Sequence, residues 1–120
     1  MKKIMTVDDS SSVRQMVSFT LRTAGYDVSE ATDGKDGVAK AGQTKFDLII
    51  TDLNMPNMDG IEMIGIVRKL PGYSFTPILM LTTESQPEKK DAGRKAGATG
   101  WIVKPFNQEQ LLAAIQKLVR

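Results

Sequence analysis

With 120 residues, of which 41% are hydrophobic and 25% charged, the chain has the length and composition of one globular domain spanning residues 1–120. Its 16 basic and 14 acidic residues are scattered, with no basic run longer than Lys2-Lys3 or Lys89-Lys90, so the charge pattern indicates no nucleic-acid surface. The absence of cysteine and histidine excludes disulfides, thiol and Cys-zinc chemistry, and histidine-based acid–base catalysis.

Short apolar runs, separated by longer segments of helical period, predict five β-strands. Near-continuous apolar runs are typical of strands covered on both faces, as in a parallel sheet. The predicted strands, in chain order, are Ile4–Val7, Tyr26–Ala31, Phe46–Thr51, Ile78–Leu81 and Gly100–Val103.

The segments between and after these strands are predicted helices. The first and last carry apolar stripes at spacings of three and four residues, and Gly25 ends the first. Ser11 or Ser12 is its predicted cap, and Asp33 caps the second helix. The stripe of the first helix is Val13, Met16, Val17, Leu21 and Ala24, and that of the last helix is Leu111, Leu112, Ile115, Leu118 and Val119. The starts of the third, fourth and last helices carry the capping-box pairs Asp59/Glu62, Ser85/Glu88 and Asn107/Gln110.

The fourth helix, Ser85–Ala96, is predicted to be held weakly. It contains Pro87 early and Gly93 in the middle, and its apolar anchors are Ala92 and Ala96 alone. An interior glycine costs about 1 kcal/mol relative to alanine, and two alanines bury little surface in return. The helix is either a surface helix of poor quality or a mobile element that changes position with the state of the protein.

Five strands alternating with five helices predict an α/β protein with a doubly wound five-stranded parallel sheet and helices on both faces. The carboxyl ends of parallel strands share one edge. Asp8, Asp9, Asp52 and Lys104 each follow a predicted strand directly, so three carboxylates and one ammonium are predicted at that edge.

Three carboxylates at one edge repel each other, and a hard divalent cation with oxygen ligands relieves that repulsion. Mg²⁺ suits a site that keeps several waters. The acidic cluster therefore predicts a magnesium site. A competing interpretation is that Asp8 and Asp9 are loop carboxylates that cap the next helix.

A carboxylate beside Mg²⁺ and an ammonium is suited to phosphoryl transfer, because the metal and Lys104 can neutralise charge on the phosphoryl oxygens. Asp52 is the predicted nucleophile. Thr82, at the end of the fourth strand, can donate its hydroxyl to a phosphoryl oxygen. An equally good interpretation of Thr82 is that it is simply a β-branched residue at the end of a strand.

The motifs at these strand ends occur in a characteristic order and spacing. Over essentially the whole chain they resemble the receiver domains of two-component response regulators, and most of all the single-domain chemotaxis regulators. The resemblance implies a flavodoxin-like fold with strand order 2-1-3-4-5. It rests on Val7–Ser10, Asp52–Gly60, Thr82–Glu84, Ala96–Ala98 and Val103–Phe106.

The resemblance implies roles for the residues at the sheet edge. Asp52 accepts a phosphoryl group from the phosphohistidine of a histidine kinase. Asp9 and Asp52 ligate Mg²⁺ with the main-chain carbonyl of Asn54, and Asp8 orients metal-bound water. Thr82 and Lys104 then contact the phosphoryl group. Mn²⁺ is the alternative cation.

Further roles follow from the same resemblance. The side chains of Asn54 and Glu84 flank the attacking water and tune the lifetime of the acyl phosphate, and Pro105 follows a cis peptide bond. Thr82 and Trp101 form the switch, in which the aromatic residue of the fifth strand turns inward. The family more often has Tyr, Phe or His there, so the bulkier indole is expected to turn inward incompletely. The alternative is a strand tryptophan that covers the sheet.

The chain is accordingly predicted to be a cytoplasmic, monomeric phosphoacceptor signalling protein rather than an enzyme. It ends at Arg120 directly after the last helix, so its output is expected to pass through protein contact, without nucleic acid or membrane. The expected partners are a histidine kinase, a phosphatase and a target such as a flagellar motor switch component. The expected output face combines the fourth helix, the Trp101 strand and the last helix.

Two other functions stay open. Pro87 and Gly93 depart from the chemotaxis regulators, which favours a standalone receiver in a phosphorelay or in control of a non-flagellar output. An aspartyl-nucleophile phosphatase also places Asp after a parallel strand and uses Mg²⁺. Such enzymes usually carry a second acid two residues on, where this chain has Asn54.

Overall fold

The computed structural model describes residues 1–119, in which strands and helices alternate. The five predicted strands are present, and their ends differ from the prediction by no more than two residues. The strands are β1 (Lys3–Val7), β2 (Asp27–Ala31), β3 (Leu48–Thr51), β4 (Ile78–Thr82) and β5 (Gly100–Val103). The helices are α1 (Ser11–Thr23), α2 (Gly34–Gln43), α3 (Gly60–Arg68), α4 (Pro87–Ala96) and α5 (Gln108–Leu118).

The strands form one parallel sheet in the order β2-β1-β3-β4-β5, which confirms the predicted doubly wound topology. Val7 of β1 lies opposite both Ala31 of β2 and Thr51 of β3. On the other side of β3, Thr82 of β4 lies opposite Val103 of β5. The residues that follow β1, β3, β4 and β5 therefore emerge at the same edge of the sheet.

Two apolar layers cover the sheet, because successive strand residues point to opposite faces. On β1, for example, Ile4 belongs to one layer and Met5 to the other. Among residues 1–119, no helix has the length and apolar character needed to cross a bilayer. The helical residues buried in the layers are Val17, Leu21, Leu111 and Ile115 from α1 and α5, and Ala41, Met63, Ile64 and Val67 from α2 and α3.

Side-chain caps begin four of the helices. The cap of α1 is Ser10, whose Oγ accepts from the Val13 amide at 3.4 Å, so the prediction of Ser11 or Ser12 is wrong. Ser10 can act as the cap because it lies directly before the first helical residue and has the extended backbone conformation that a cap requires. The predicted caps Asp33 of α2, Asp59 of α3 and Asn107 of α5 are confirmed, and Asn107 forms a complete capping box with Gln110.

Helix α4 begins differently from the prediction. Its N-cap is Gln86, which makes no side-chain capping bond, so the predicted Ser85/Glu88 box is wrong. Pro87 occupies the first turn, where its missing N–H has no intrahelical partner to lose and its fixed φ suits the helix. At the other end, Gly97 has φ 120°, a backbone conformation that side chains disfavour.

The loop between α3 and β4 is anchored by the partly buried side chain of Arg68 and the buried side chain of Tyr73, which the local sequence pattern did not reveal. The Arg68 guanidinium donates to the carbonyls of Tyr73 and Gly97 at 2.7 Å and of Thr76 at 2.6 Å. The Tyr73 hydroxyl accepts from the Phe46 amide at 3.1 Å, and burial raises its pKa. Arg68 thereby ties the end of α4 to the end of α3.

Removing the α5 cap should destabilise the protein, whereas removing the serine before α4 should not. Asn107→Ala removes the acceptor of the Gln110 amide at 2.7 Å and should lower the free energy of unfolding by about 1 kcal/mol. Ser85→Ala should change it by less than about 0.5 kcal/mol, because Ser85 is exposed and caps nothing. Urea unfolding followed by circular dichroism measures both. Equal losses would contradict this assignment of the two helix starts.

Candidate metal centre

Three carboxylates converge at the carboxyl edge of the sheet. Asp8 and Asp9 follow β1, and Asp52 follows β3. Backbone bonds continue the sheet to these residues, since the Asp52 amide donates to the Val7 carbonyl at 3.0 Å and the Asp8 amide to the Ala31 carbonyl at 3.1 Å. One carboxylate oxygen from each acid lies within 4.8 Å of the other two. The parallel register thus brings together residues that lie more than 40 positions apart in sequence.

Lys104 bridges two of the acids. Its Nζ lies 3.0 Å from Asp8 Oδ2 and 3.3 Å from Asp52 Oδ2. The three side chains are 14%, 4% and 11% exposed, so the contacts are largely shielded from water. The Lys104 amide extends the β4–β5 ladder by donating to the Thr82 carbonyl at 2.8 Å, and the peptide bond from Lys104 to Pro105 is cis.

Backbone amides hold the remaining carboxylate oxygens of the two buried acids. The Ser10 amide donates to Asp8 Oδ1 at 2.9 Å, and the Leu53 amide donates to Asp52 Oδ1 at 2.7 Å. Burial raises the pKa of the Asp8 carboxyl above its ordinary value, and the Ser10 amide and the Lys104 ammonium oppose that effect. The orientation of both carboxylates is therefore set by the backbone as well as by Lys104.

The donor set fits a hard divalent cation. Asp8 and Asp52 are buried at the base of the cluster, while Asp9 is exposed at its rim. Oxygen ligands from two or three carboxylates, with the remaining positions left to water, are what Mg²⁺ prefers in proteins. Asn54 lies in the loop directly after Asp52 and its side chain is exposed. The role of its carbonyl as a ligand stays a prediction.

The loop after Asp52 requires a glycine at its end. The Gly60 amide donates to the Leu53 carbonyl at 2.8 Å, which folds the loop back on itself. A β-carbon at Gly60 would lie 2.2 Å from the carbonyl oxygen of Asp52, which is too close for two atoms that are not bonded. The need for glycine here was not predicted from the sequence, although the Asp59-Gly60 pair directly before α3 is a sequence signal for a tight turn.

Glu84 links the two predicted switch residues through its backbone. Its amide donates to Thr82 Oγ1 at 3.3 Å, and its carbonyl accepts from Trp101 Nε1 at 3.1 Å. Thr82 is fully buried at the end of β4, and the partly buried Trp101 packs against the apolar layer on that side of the sheet. A displacement of Thr82 would therefore be transmitted to Trp101 through the backbone of Glu84.

The fold and the site together define a doubly wound α/β protein with an acidic, lysine-bridged centre where the strands end. The sequence model of the response regulator receiver domain matches residues 4–116, and the chain belongs to this family. Proteins of this class bind Mg²⁺ at the acidic cluster formed here by Asp8, Asp9 and Asp52.

Known proteins resemble the chain over nearly its whole length. The chemotaxis protein CheY4 of Vibrio cholerae is 56% identical and superposes with a TM-score of 0.96, covering 99% of both chains. The receiver domain of the sensor histidine kinase PA1611 from Pseudomonas aeruginosa, solved with a magnesium ion in its active site cleft, is 26% identical with a TM-score of 0.90, over 98% of this chain and 96% of that one. The DNA-binding transcriptional regulator RpaA of Synechocystis is 38% identical over 120 residues, and the chain spans 50% of its length.

Mg²⁺ should raise the melting temperature, because an ion that binds only the folded state stabilises it. Asp9→Asn removes the ligand at the rim and should weaken Mg²⁺ binding roughly tenfold or more, about 1.4 kcal/mol, without lowering the metal-free melting temperature. Titration calorimetry and thermal unfolding with and without Mg²⁺ measure these effects. The control is Asp27→Asn, an exposed acid at the start of β2, on the opposite edge. A wild-type Mg²⁺ response from Asp9→Asn would contradict the site.

Proposed function

We propose that the chain is a response regulator that takes a phosphoryl group from the phosphohistidine of a histidine kinase onto Asp52. The observation that carries this proposal is the convergence of three carboxylates with the Lys104 ammonium at 3.0 and 3.3 Å from two of them. The kinase must supply the histidine, because this chain has none. Mg²⁺, or Mn²⁺ with the same oxygen ligands, would neutralise charge on the phosphoryl oxygens when bound.

In the transfer, one carboxylate oxygen of Asp52 attacks the phosphorus atom, the bond between phosphorus and the imidazole nitrogen breaks, and the imidazole leaves. The Leu53 amide fixes Asp52 Oδ1, while Asp52 Oδ2 faces Lys104. Once phosphorylated, the side chain presents more negative charge to the ammonium than a carboxylate does. Lys104 can then pair with a phosphoryl oxygen while it keeps its contact with Asp8.

The lifetime of the acyl phosphate would depend on the side chains that reach the attacking water. Asn54 is exposed in the loop after Asp52, and Glu84 is partly buried in the loop after β4. We assign the tuning of hydrolysis to these two residues. This self-catalysed hydrolysis would be the extent of the chain's own catalysis, since Asn54 stands where aspartyl-nucleophile phosphatases usually have their second acid.

Asp52→Asn should abolish the incorporation of labelled phosphoryl groups from a small acyl phosphate in the presence of Mg²⁺, because an amide cannot act as the nucleophile. The fold should be retained, since an amide is nearly the same size as the carboxylate. Phosphoryl labelling and the circular dichroism spectrum measure the two effects, and Asp27→Asn should be labelled like the wild type. Label on the Asp52→Asn variant would show that another residue is the acceptor.

The signal would pass from the phosphoryl group to the surface through Thr82, Glu84 and Trp101. When the Thr82 hydroxyl turns to a phosphoryl oxygen, it releases the Glu84 amide, now 3.3 Å away. The Glu84 carbonyl, which accepts from Trp101, is in the same loop and moves with it. The output face would be built from α4, β5 and α5, because Trp101 lies on β5 and the loop leads into α4.

Backbone amide exchange, compared with and without a beryllium fluoride mimic and Mg²⁺, should change mainly in the loop 83–86, α4, β5 and α5. Helix α4 has no side-chain cap at its start, so its first turn should show a large change. Mass spectrometry of proteolytic fragments measures the exchange. Changes confined to α1 would contradict this output face.

Chemotaxis is the process that we propose for this signal, with a flagellar motor switch component as the target. The support is the 56% identity to the chemotaxis protein CheY4, together with Asn54 and Glu84 at the site. A phosphorelay or a non-flagellar output is the alternative, favoured by Pro87 and Gly93 in α4. Retention of a flagellar switch component by the phosphorylated chain, and not by Asp52→Asn, would distinguish the two. We further propose that the protein acts in the cytoplasm as a monomer, with residues 1–120 as its receiver domain.

A further inference from the structure

Helix α4 lies against the indole of Trp101 at a position without a side chain. Gly93, the buried residue of this helix, faces the outer ring of the indole. A β-carbon at Gly93 would lie 2.7 Å from Trp101 Cζ3 and 3.6 Å from Cε3 and Cη2. Carbon atoms in good contact are about 3.5 to 4.0 Å apart, so the nearest of these distances is a clash. The indole occupies the space that a methyl group would need.

The indole is held in place by two contacts. Its Nε1 donates to the Glu84 carbonyl at 3.1 Å, and its ring packs against the apolar layer that contains Met80. A tryptophan ring is rigid, so the clash cannot be relieved by bending the end of a flexible chain. A side chain at Gly93 would have to displace the whole ring or push α4 away.

The backbone does not explain this glycine. Gly25, Gly72 and Gly97 have positive φ angles, whereas Gly93 lies inside α4 with ordinary helical geometry. A glycine in a helix interior is unfavourable relative to alanine. The contact with Trp101 is therefore the physical reason for glycine at this position.

The same contact supplies packing that α4 otherwise lacks. The other apolar side chains on its inner side, Ala92 and Ala96, are small and only partly buried. Arg68 holds the far end of the helix through the Gly97 carbonyl at 2.7 Å. Between this anchor and the uncapped first turn, the large apolar group that packs against α4 is the indole of Trp101.

We propose that Gly93 is a positioning residue for the signalling switch: the missing side chain on α4 seats the indole of Trp101 inward, where it holds the Glu84 carbonyl. A methyl group at position 93 expels the indole and releases the loop before α4. This inference rests on the proposed role of Trp101 in the switch, but the seating itself does not depend on phosphorylation. It also accounts for a tryptophan at a position where a smaller aromatic would leave the space beside Gly93 unfilled.

The experiment compares Gly93→Ala with Gly65→Ala in the unphosphorylated protein. Gly65 is also inside a helix, and a β-carbon there would meet nothing within 4 Å, so it controls for the change in helix propensity. Trp101 is the single tryptophan, so its fluorescence reports on this site alone. Gly93→Ala should increase iodide quenching several-fold and speed exchange of the indole N–H, while Gly65→Ala should match the wild type in both.

A second comparison distinguishes displacement of the indole from a general destabilisation of the fold. In a Trp101→Leu background, which has no ring to displace, Gly93→Ala should no longer lower the melting temperature and should raise it as Gly65→Ala does. Wild-type quenching and N–H exchange in Gly93→Ala, or the same loss of melting temperature in both backgrounds, would overturn the proposal. Labelling of Asp52 in the wild type is measured separately, so its failure would refute the phosphoacceptor function and leave the seating result intact.

Discussion

Mutual repulsion among three carboxylates at one edge of the sheet is the constraint on which the rest of the structure depends. Two unit charges about 4 Å apart near a protein surface interact by roughly 4 kcal/mol. One carboxylate oxygen from each of Asp8, Asp9 and Asp52 lies within 4.8 Å of the other two. The fold offsets this repulsion with the Lys104 ammonium and two backbone amides. The remaining negative potential favours a divalent cation, and a bound cation in turn allows a phosphoryl group to approach.

Parallel pairing is what makes such a cluster attainable in a short chain. Each strand ends at the same edge, so one residue beyond each of β1, β3 and β5 is enough to bring two acids and a lysine together. Asp8 and Lys104 are separated by 96 positions in sequence, yet the sheet places them in contact. The apolar layers on both faces hold the strands in this register.

Features with a local physical cause could be predicted from the sequence. Apolar runs located all five strands. The Asp59 and Asn107 caps follow from their spacing of three residues to Glu62 and Gln110, and the Asp33 cap follows from its position before Gly34. The convergence of the acids followed from the topology. The cap of α4 was wrongly predicted, because the capping-box pattern of Ser85 and Glu88 is not the signal that sets the helix start. Pro87 sets it instead, since the fixed φ of proline favours the first turn of a helix.

Side-chain contacts between distant segments away from the sheet edge could not be predicted. Gly93 looked like a weakness of α4 in the sequence, whereas in the structure it admits a ring from β5. Arg68 was not singled out in the sequence, yet it donates to three carbonyls from two loops. No local pattern indicates either contact.

The most direct measurement is the anomalous X-ray scattering from a crystal of this protein grown with Mn²⁺. We predict a single strong peak at the carboxyl edge, bounded by carboxylate oxygens of Asp9 and Asp52, with Lys104 alongside. No peak there, with the two acids turned away from each other, would contradict the claim that this edge is a metal-dependent phosphoacceptor site.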